Sequence, residues 1–229
     1  MRNLMLIFFC FFISLTQAQT PYTVEYQTQA GVFGVQVRNP EATNTKINGS
    51  PYLNQSLDFM PGTIMIDDSS IIAELMMRYN VYNQQFEIQE KNEVKAIIKN
   101  DRLKGVNISG CNYENRLFFN GEFFEKGFLE VVHLGKVSIY KRHECKIKEG
   151  YYNDRVAAGR KNDSYNHKYE YYLMTNKDQN PKKIKLSKKQ LISVMQDKKD
   201  QVKTYIKENK IKVKRKEDLS NLLKYYETL

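Results

Sequence analysis

The chain has 229 residues, of which 41% are hydrophobic and 12% aromatic, with 36 Lys and Arg against 26 Asp and Glu. That aromatic share excludes a disordered chain, and the length suits one sizeable core or a domain with an appendage. The net charge of +10 is uneven: between Lys177 and Asp218 stand 14 lysines and Arg215 against six acids, so the basic surplus belongs to the tail.

Met1-Arg2-Asn3 is a short basic start, followed by a 12-residue apolar run from Leu4 to Leu15. Thr16-Gln17-Ala18 then places small residues correctly for cleavage between Ala18 and Gln19, completing the plan of a secretory signal peptide. A membrane-spanning helix needs about 20 apolar residues, and no later segment approaches that length. The expected mature protein is exported to the periplasm, the envelope or the exterior, with no transmembrane segment.

Residues 19–60 are rich in Gln, Asn, Thr and Pro and read only weakly, with one alternating stretch at Val32 to Val37. From Gly62 the pattern sharpens. Ile64 and Ile66 alternate with Met65 and Asp67; Ile71, Ala73, Leu75, Met77 and Tyr79 share a face; Phe86 and Ile88, then Val94, Ala96 and Ile98, follow. Asp67 to Ser70, Asn80 to Asn83, Lys91-Asn92 and Asn100-Asp101 supply turns. Period-two alternation with turns at this spacing predicts an antiparallel meander. Asn120-Gly121 predicts a tight type I′ hairpin. A second hairpin is expected to turn at Leu134-Gly135, with Gly150 to Ser164 as a long loop. Tyr165 to Thr175 is a tyrosine-rich strand with Tyr169, Tyr171 and Leu173 on one side; these suit half-buried strand positions better than a sugar-stacking platform.

Near Lys185 the period lengthens. Ser187 and Gln190 form a capping box, ahead of Leu191, Ile192 and Met195 on one helical face. A second helix, capped by Asp197 or Asp200, carries Val202, Tyr205 and Ile206, and a third carries Leu219, Leu222, Leu223 and Tyr226. The expected fold is α+β: a mainly antiparallel β meander over 61–185, as a sheet or partly closed barrel, with two to three amphipathic C-terminal helices over 186–229 docked on it.

The runs Asn48 to Leu53, Phe59 to Thr63, Arg78 to Asn83, Gly135 to Ser138 and Tyr171 to Leu173, with the closing Lys-rich helices, resemble a group of uncharacterised exported proteins of Bacteroidota-type bacteria. The resemblance covers most of the mature chain and implies compartment and architecture. It implies no activity.

The candidate chemistry is sparse. Cys111 and Cys145 survive signal removal, and an oxidising compartment permits one disulfide between them; two separate buried thiols are the alternative. His143 and Cys145, two apart on a strand, share a face and would give two zinc ligands where a structural site needs four. His133 is carried away by its hairpin, and His167 and Cys111 would complete the set only by folding that the sequence does not specify. Asp67-Asp68 suits a solvated turn better than a hydrolase pair. No nucleophile elbow, zinc-protease helix or phosphate-cradling loop is present, so no cofactor is expected.

The function expected is therefore non-enzymatic: binding or scaffolding at the envelope. Lys182, Lys183, Lys188, Lys189, Lys198 and Lys199 are the candidate contacts for an anionic envelope polymer or lipid headgroups. Export makes nucleic acid an unexpected partner. The alternatives are a secreted hydrolase with an acidic or histidine site and a carrier enclosing an apolar ligand in a curled sheet.

Overall fold

In the computed structural model of the chain the described residues are 21–28, 31–41, 47–66, 70–153, 155–156, 158–160 and 162–229. The signal sequence with its Ala18–Gln19 cleavage point, and the Asp67-Asp68 turn, lie outside them. The architecture is mainly antiparallel β with three helices at the C-terminus.

The weakly patterned N-terminal region forms a hairpin, β1 (Tyr22–Thr28) with β2 (Gly31–Arg38). The meander follows as β3 (Met60–Ile66), β4 (Ser70–Asn80), β5 (Gln85–Glu90), β6 (Glu93–Ile97), β7 (Leu103–Ile108) and β8 (Cys111–Phe119). Then come β9 (Phe124–His133), β10 (Val137–Lys148), β13 (Ser164–Thr175) and β14 (Lys182–Ile184). The region expected as a loop from Gly150 to Ser164 instead holds a small separate hairpin, β11 (Tyr151–Asn153) with β12 (Ala158–Arg160). The main sheet has twelve strands in the order β1-β2-β6-β5-β4-β3-β7-β8-β14-β13-β10-β9, and β9 pairs with β8 as well. The pairings β8–β9–β10–β13–β14–β8 thus return to their starting strand. Phe118, Leu129, Tyr140 and Tyr172 form a small core of their own on these strands.

Two local corrections follow from register. The single apolar face expected on β4 is broken: Gly62 pairs with Leu75 but Ile64 with Ile72, so β4 carries an extra residue opposite Thr63. A bulge of this kind inverts the facing of everything beyond it. Ile72 is buried, Ile71 is 56% exposed, and Met77 and Tyr79 are buried on the far side of the bulge. The β8–β9 turn is also longer than a type I′ pair. It spans Asn120 to Phe123, closed by the Asn120 N–H donating to the Phe123 carbonyl at 3.1 Å, while the Asn120 side chain accepts from the N–H groups of Glu122 and Phe123. Gly121 sits at φ +107°, which its lack of a Cβ permits.

The helices are α1 (Lys188–Val194), α2 (Lys199–Glu208) and α3 (Lys216–Glu227). Leu191, Met195, Val202, Ile206, Leu219 and Leu222 are buried in one cluster that reaches Val137, Ile139 and Leu173 of the sheet. The Ser187 hydroxyl caps α1, accepting from the Gln190 N–H at 3.2 Å; the return bond from the Gln190 side chain is absent among the described residues. Ser187→Ala is expected to cost about 1 kcal/mol in a urea titration. Neither Asp197 nor Asp200 caps α2: Lys198 occupies the N-cap without a side-chain bond, and Asp197 instead accepts from the Tyr226 hydroxyl at 2.8 Å, joining α3 to the turn before α2.

Candidate functional site

The helical layer carries more outward cations than outward acids. Of its six acids three are engaged within the fold, Asp197 with Tyr226, Asp218 accepting the Lys212 N–H at 2.8 Å, and Glu227 accepting the Lys136 N–H at 2.7 Å, while Asp200, Glu208 and Glu217 are exposed. Glu227 also lies 3.7 Å from His133, whose pKa burial lowers and Glu227 opposes. Its lysines point outward. Lys188, Lys189, Lys203, Lys207 and Lys224 are exposed and, among the described residues, enter no ion pair.

The six lysines singled out from the sequence separate into two groups. Lys182 bonds Asp178 at 2.6 Å and Lys183 bonds Glu170 at 2.6 Å, so their charges are compensated locally. Lys188 and Lys189 are exposed on α1, and Lys198 and Lys199 are half-buried at the start of α2, without acidic partners among the described residues. Lys182 also pairs across to Phe119, at the end of β8. There Phe119 and Phe124 meet at 5.3 Å between ring centroids, and Phe123 and Phe124 are each 57% exposed, making an uncovered aromatic tip.

The disulfide expected as one option is not formed: Cys111 and Cys145 are free thiols. Their strands explain it. Tyr113, Glu130 and Lys141 lie in one row across β8, β9 and β10. Cys111 precedes that row by two residues and Cys145 follows it by four, on strands of the same direction. Six residues of offset amount to roughly 20 Å along the strands, beyond bridging reach. Burial pushes the Cys145 thiol up to about 11, leaving it protonated at neutral pH and a poor nucleophile.

His143 and Cys145 do share a face, but each is held by a different neighbour. His143 Nε2 is 2.6 Å from Glu130 Oε2. Cys145 Sγ is 3.6 Å from Nε2 of His167, the residue opposite it on β13, and that nitrogen donates to the Ser50 carbonyl at 2.7 Å. Among the described residues no three His, Cys, Asp or Glu side chains gather in a metal-binding group. Of the tyrosines on β13, Tyr171 is half-buried, while Tyr169 is 56% exposed with the Lys141 ammonium 5.1 Å from its ring centre.

Two buried ionic networks were not foreseen. Glu130 on β9, 5% exposed, faces His143 at 2.6 Å and Lys141 at 3.2 Å from β10, and Lys216 at 3.4 Å from the first residue of α3. Burial alone would raise its pKa, but the His143 hydrogen bond and the Lys141 charge outweigh it and hold the carboxyl down to about 2. It is therefore a fixed carboxylate that ties the sheet to the helical layer, unlike a general acid poised near neutrality. Glu87 on β5 is completely buried and accepts from Arg78 Nε at 2.8 Å, the Tyr52 hydroxyl at 3.2 Å and Asn80 Nδ2 at 3.2 Å. The Arg78 guanidinium lies between the rings of Tyr52 (4.1 Å) and Phe59 (4.4 Å). The sequence does hold a signal for the second network. Counting back from the Val81–Gln84 turn makes Arg78 and Glu87 cross-strand partners of opposite charge.

Among the described residues no helix is long and apolar enough to cross a membrane. Compared with protein-family models, with curated proteins and with solved structures, the chain matches none of them.

Proposed function

We propose that the protein is an exported attachment module that settles peripherally on an anionic lipid surface through its C-terminal helical layer. One observation carries this reading: three of the layer's six acids are turned into internal hydrogen bonds, while Lys188, Lys189, Lys203, Lys207 and Lys224 stand outward without ionic partners among the described residues. Such a surface attracts polyanions in proportion to its uncompensated charge. The exposed Phe123 and Phe124 favour lipid over a hydrated polymer, because apolar rings bury at the boundary between headgroups and acyl chains. A non-enzymatic role agrees with Glu130 and Glu87 being saturated by donors and with the Cys145 thiol staying protonated.

Co-sedimentation of the mature chain with vesicles tests the reading. Retention is expected on vesicles of mixed anionic and zwitterionic lipid at low salt and not on purely zwitterionic vesicles. It should fall steeply as salt shortens the Debye length from about 10 Å at 0.1 M to about 3 Å at 1 M. Changing Lys188, Lys189, Lys198 and Lys199 to Gln should cost about 1 kcal/mol of binding per charge near the surface. The Lys182→Gln, Lys183→Gln pair should cost far less, because those ammonium groups are already neutralised. Equal retention of the two variants, or retention indifferent to salt, rejects the proposal.

A further inference from the structure

A cleft of about 320 Å³ opens between the Tyr52–Met60 segment and strands β3, β4, β7 and β8, away from the helical layer. That volume is at the lower end of the range for small-molecule sites. Leu53, Met60, Ile108 and the ring of Tyr52 give it an apolar lining. The segment over its mouth is held in an unusual shape: Asn54 and Gln55 have φ of 56° and 57°, and Ser109 on the opposite wall has φ of 50°. Non-glycine residues take that conformation uncommonly, asparagine the most readily among them.

Two hydrogen-bond donors on the walls are unused. Arg78 spends Nε on Glu87 and Nη1 on the Leu57 carbonyl, and among the described residues its Nη2 has no acceptor. Tyr113 is 1% exposed, and among the described residues its hydroxyl has no partner. Burial first, then the negative neighbour Glu130, pushes the Tyr113 pKa up, so the hydroxyl keeps its proton and remains a donor. The hydroxyl is unpaired but not sealed off, so an acceptor entering the cleft can reach it. The one carboxylate on the lining, Asp58, is exposed at the rim and already takes the Ser56 hydroxyl at 2.8 Å. Apolar surface and these two donors thus face one cleft, with Asn54, Asp58 and Ser109 also on its lining.

We infer that this cleft binds a small apolar acid, whose acidic head is received by Arg78 and Tyr113 and whose body lies against Leu53, Met60 and Ile108. The free thiol of Cys111, half-buried on the same wall, reports occupancy. An acidic head accepts from the unused Nη2 of Arg78, whose charge Glu87 already balances, and from the Tyr113 hydroxyl, while the apolar body covers surface otherwise left to water.

Fluorescence titration of the mature chain with 1-anilinonaphthalene-8-sulfonate, beside the uncharged N-phenyl-1-naphthylamine, tests the assignment. One saturable site is expected, with the acid bound about tenfold more tightly than the neutral probe. Tyr113→Phe should weaken the acid about fivefold without lowering the unfolding midpoint, since the lost hydroxyl has no partner in the fold. Cys111→Trp should fill the cleft and abolish binding, and saturating probe should slow alkylation of Cys111 by N-ethylmaleimide, followed by peptide mass. The inference is overturned by absence of a saturable site, by equal affinity for both probes, or by an alkylation rate indifferent to the probe. Should Cys111→Trp fail to fold, Tyr113→Phe decides alone: unchanged affinity overturns the assignment.

Discussion

Glu87→Ala is expected to lower the unfolding free energy by about 3–5 kcal/mol, the range for removing one partner from a buried ion pair. Glu87 has no solvent contact, so its two oxygens depend on Arg78, Tyr52 and Asn80. Truncation leaves a guanidinium, a phenol and a carboxamide facing a void, and each loses its main acceptor there. The Tyr52 hydroxyl, pushed up to about 12 by burial and the Glu87 charge, cannot respond by ionising at neutral pH. Replacing both members of the pair, as Arg78→Met with Glu87→Leu, should recover most of the loss, because a well-packed apolar pair needs no partners. For a domain of this size the single variant should melt roughly 10 °C lower. Urea titrations of the two variants measure the difference; equal losses would mean that packing volume, and not pairing, holds this corner together.

The second large effect is on acid stability. Glu130 titrates at about 2 in the folded protein against an ordinary 4.5. The folded state thus binds its proton less readily than the unfolded chain does. The contribution is complete above about pH 4.5 and is lost as the pH falls towards 2. The difference corresponds to about 3 kcal/mol. The groups around the carboxyl are His143 and Lys141 from β10 and Lys216 from α3. Glu130→Gln should lower stability at pH 7 and flatten the stability profile between pH 4.5 and 2. Asp178, held down to about 2 by the hydrogen bonds of Lys182 and Thr175, leaves a smaller slope in that variant. Unfolding free energies across this interval, wild type against Glu130→Gln, decide the matter: parallel curves would remove Glu130 as the acid sensor.

The strands from β3 to β10 were legible because each runs past its neighbour with side chains alternating between two environments, and that period survives in a bare sequence. What alternation does not encode is which face a residue takes after an insertion, so Ile71 and Ile72 exchanged roles at the β4 bulge. Asn120-Gly121 carried the chemistry of a two-residue turn, yet the Asn120 side chain organises a longer one by accepting from Glu122 and Phe123. The helices were readable from Leu191, Val202, Leu219 and Leu222, whose burial follows from helical spacing. The candidate contacts were harder. A lysine count treats Lys182 and Lys188 alike, whereas Asp178 neutralises the first and nothing among the described residues neutralises the second. Glu130 was invisible because its partners come from β10 and from a helix 86 positions further on, a conjunction only the folded chain creates. Tyr113 gave no sign of standing at a cleft, since a tyrosine at an inward strand position reads as core.

The sheet described above begins at β1 and ends at β9, but β9 is already joined to β8. Among the described residues β1 is then the strand of that order with a neighbour on one side alone, and its other side is a row of backbone N–H and C=O groups. A second copy adding its own β1 there would occupy both rows at once. An isologous β1–β1 pairing of this kind closes on two chains, where head-to-tail addition would extend into a fibre.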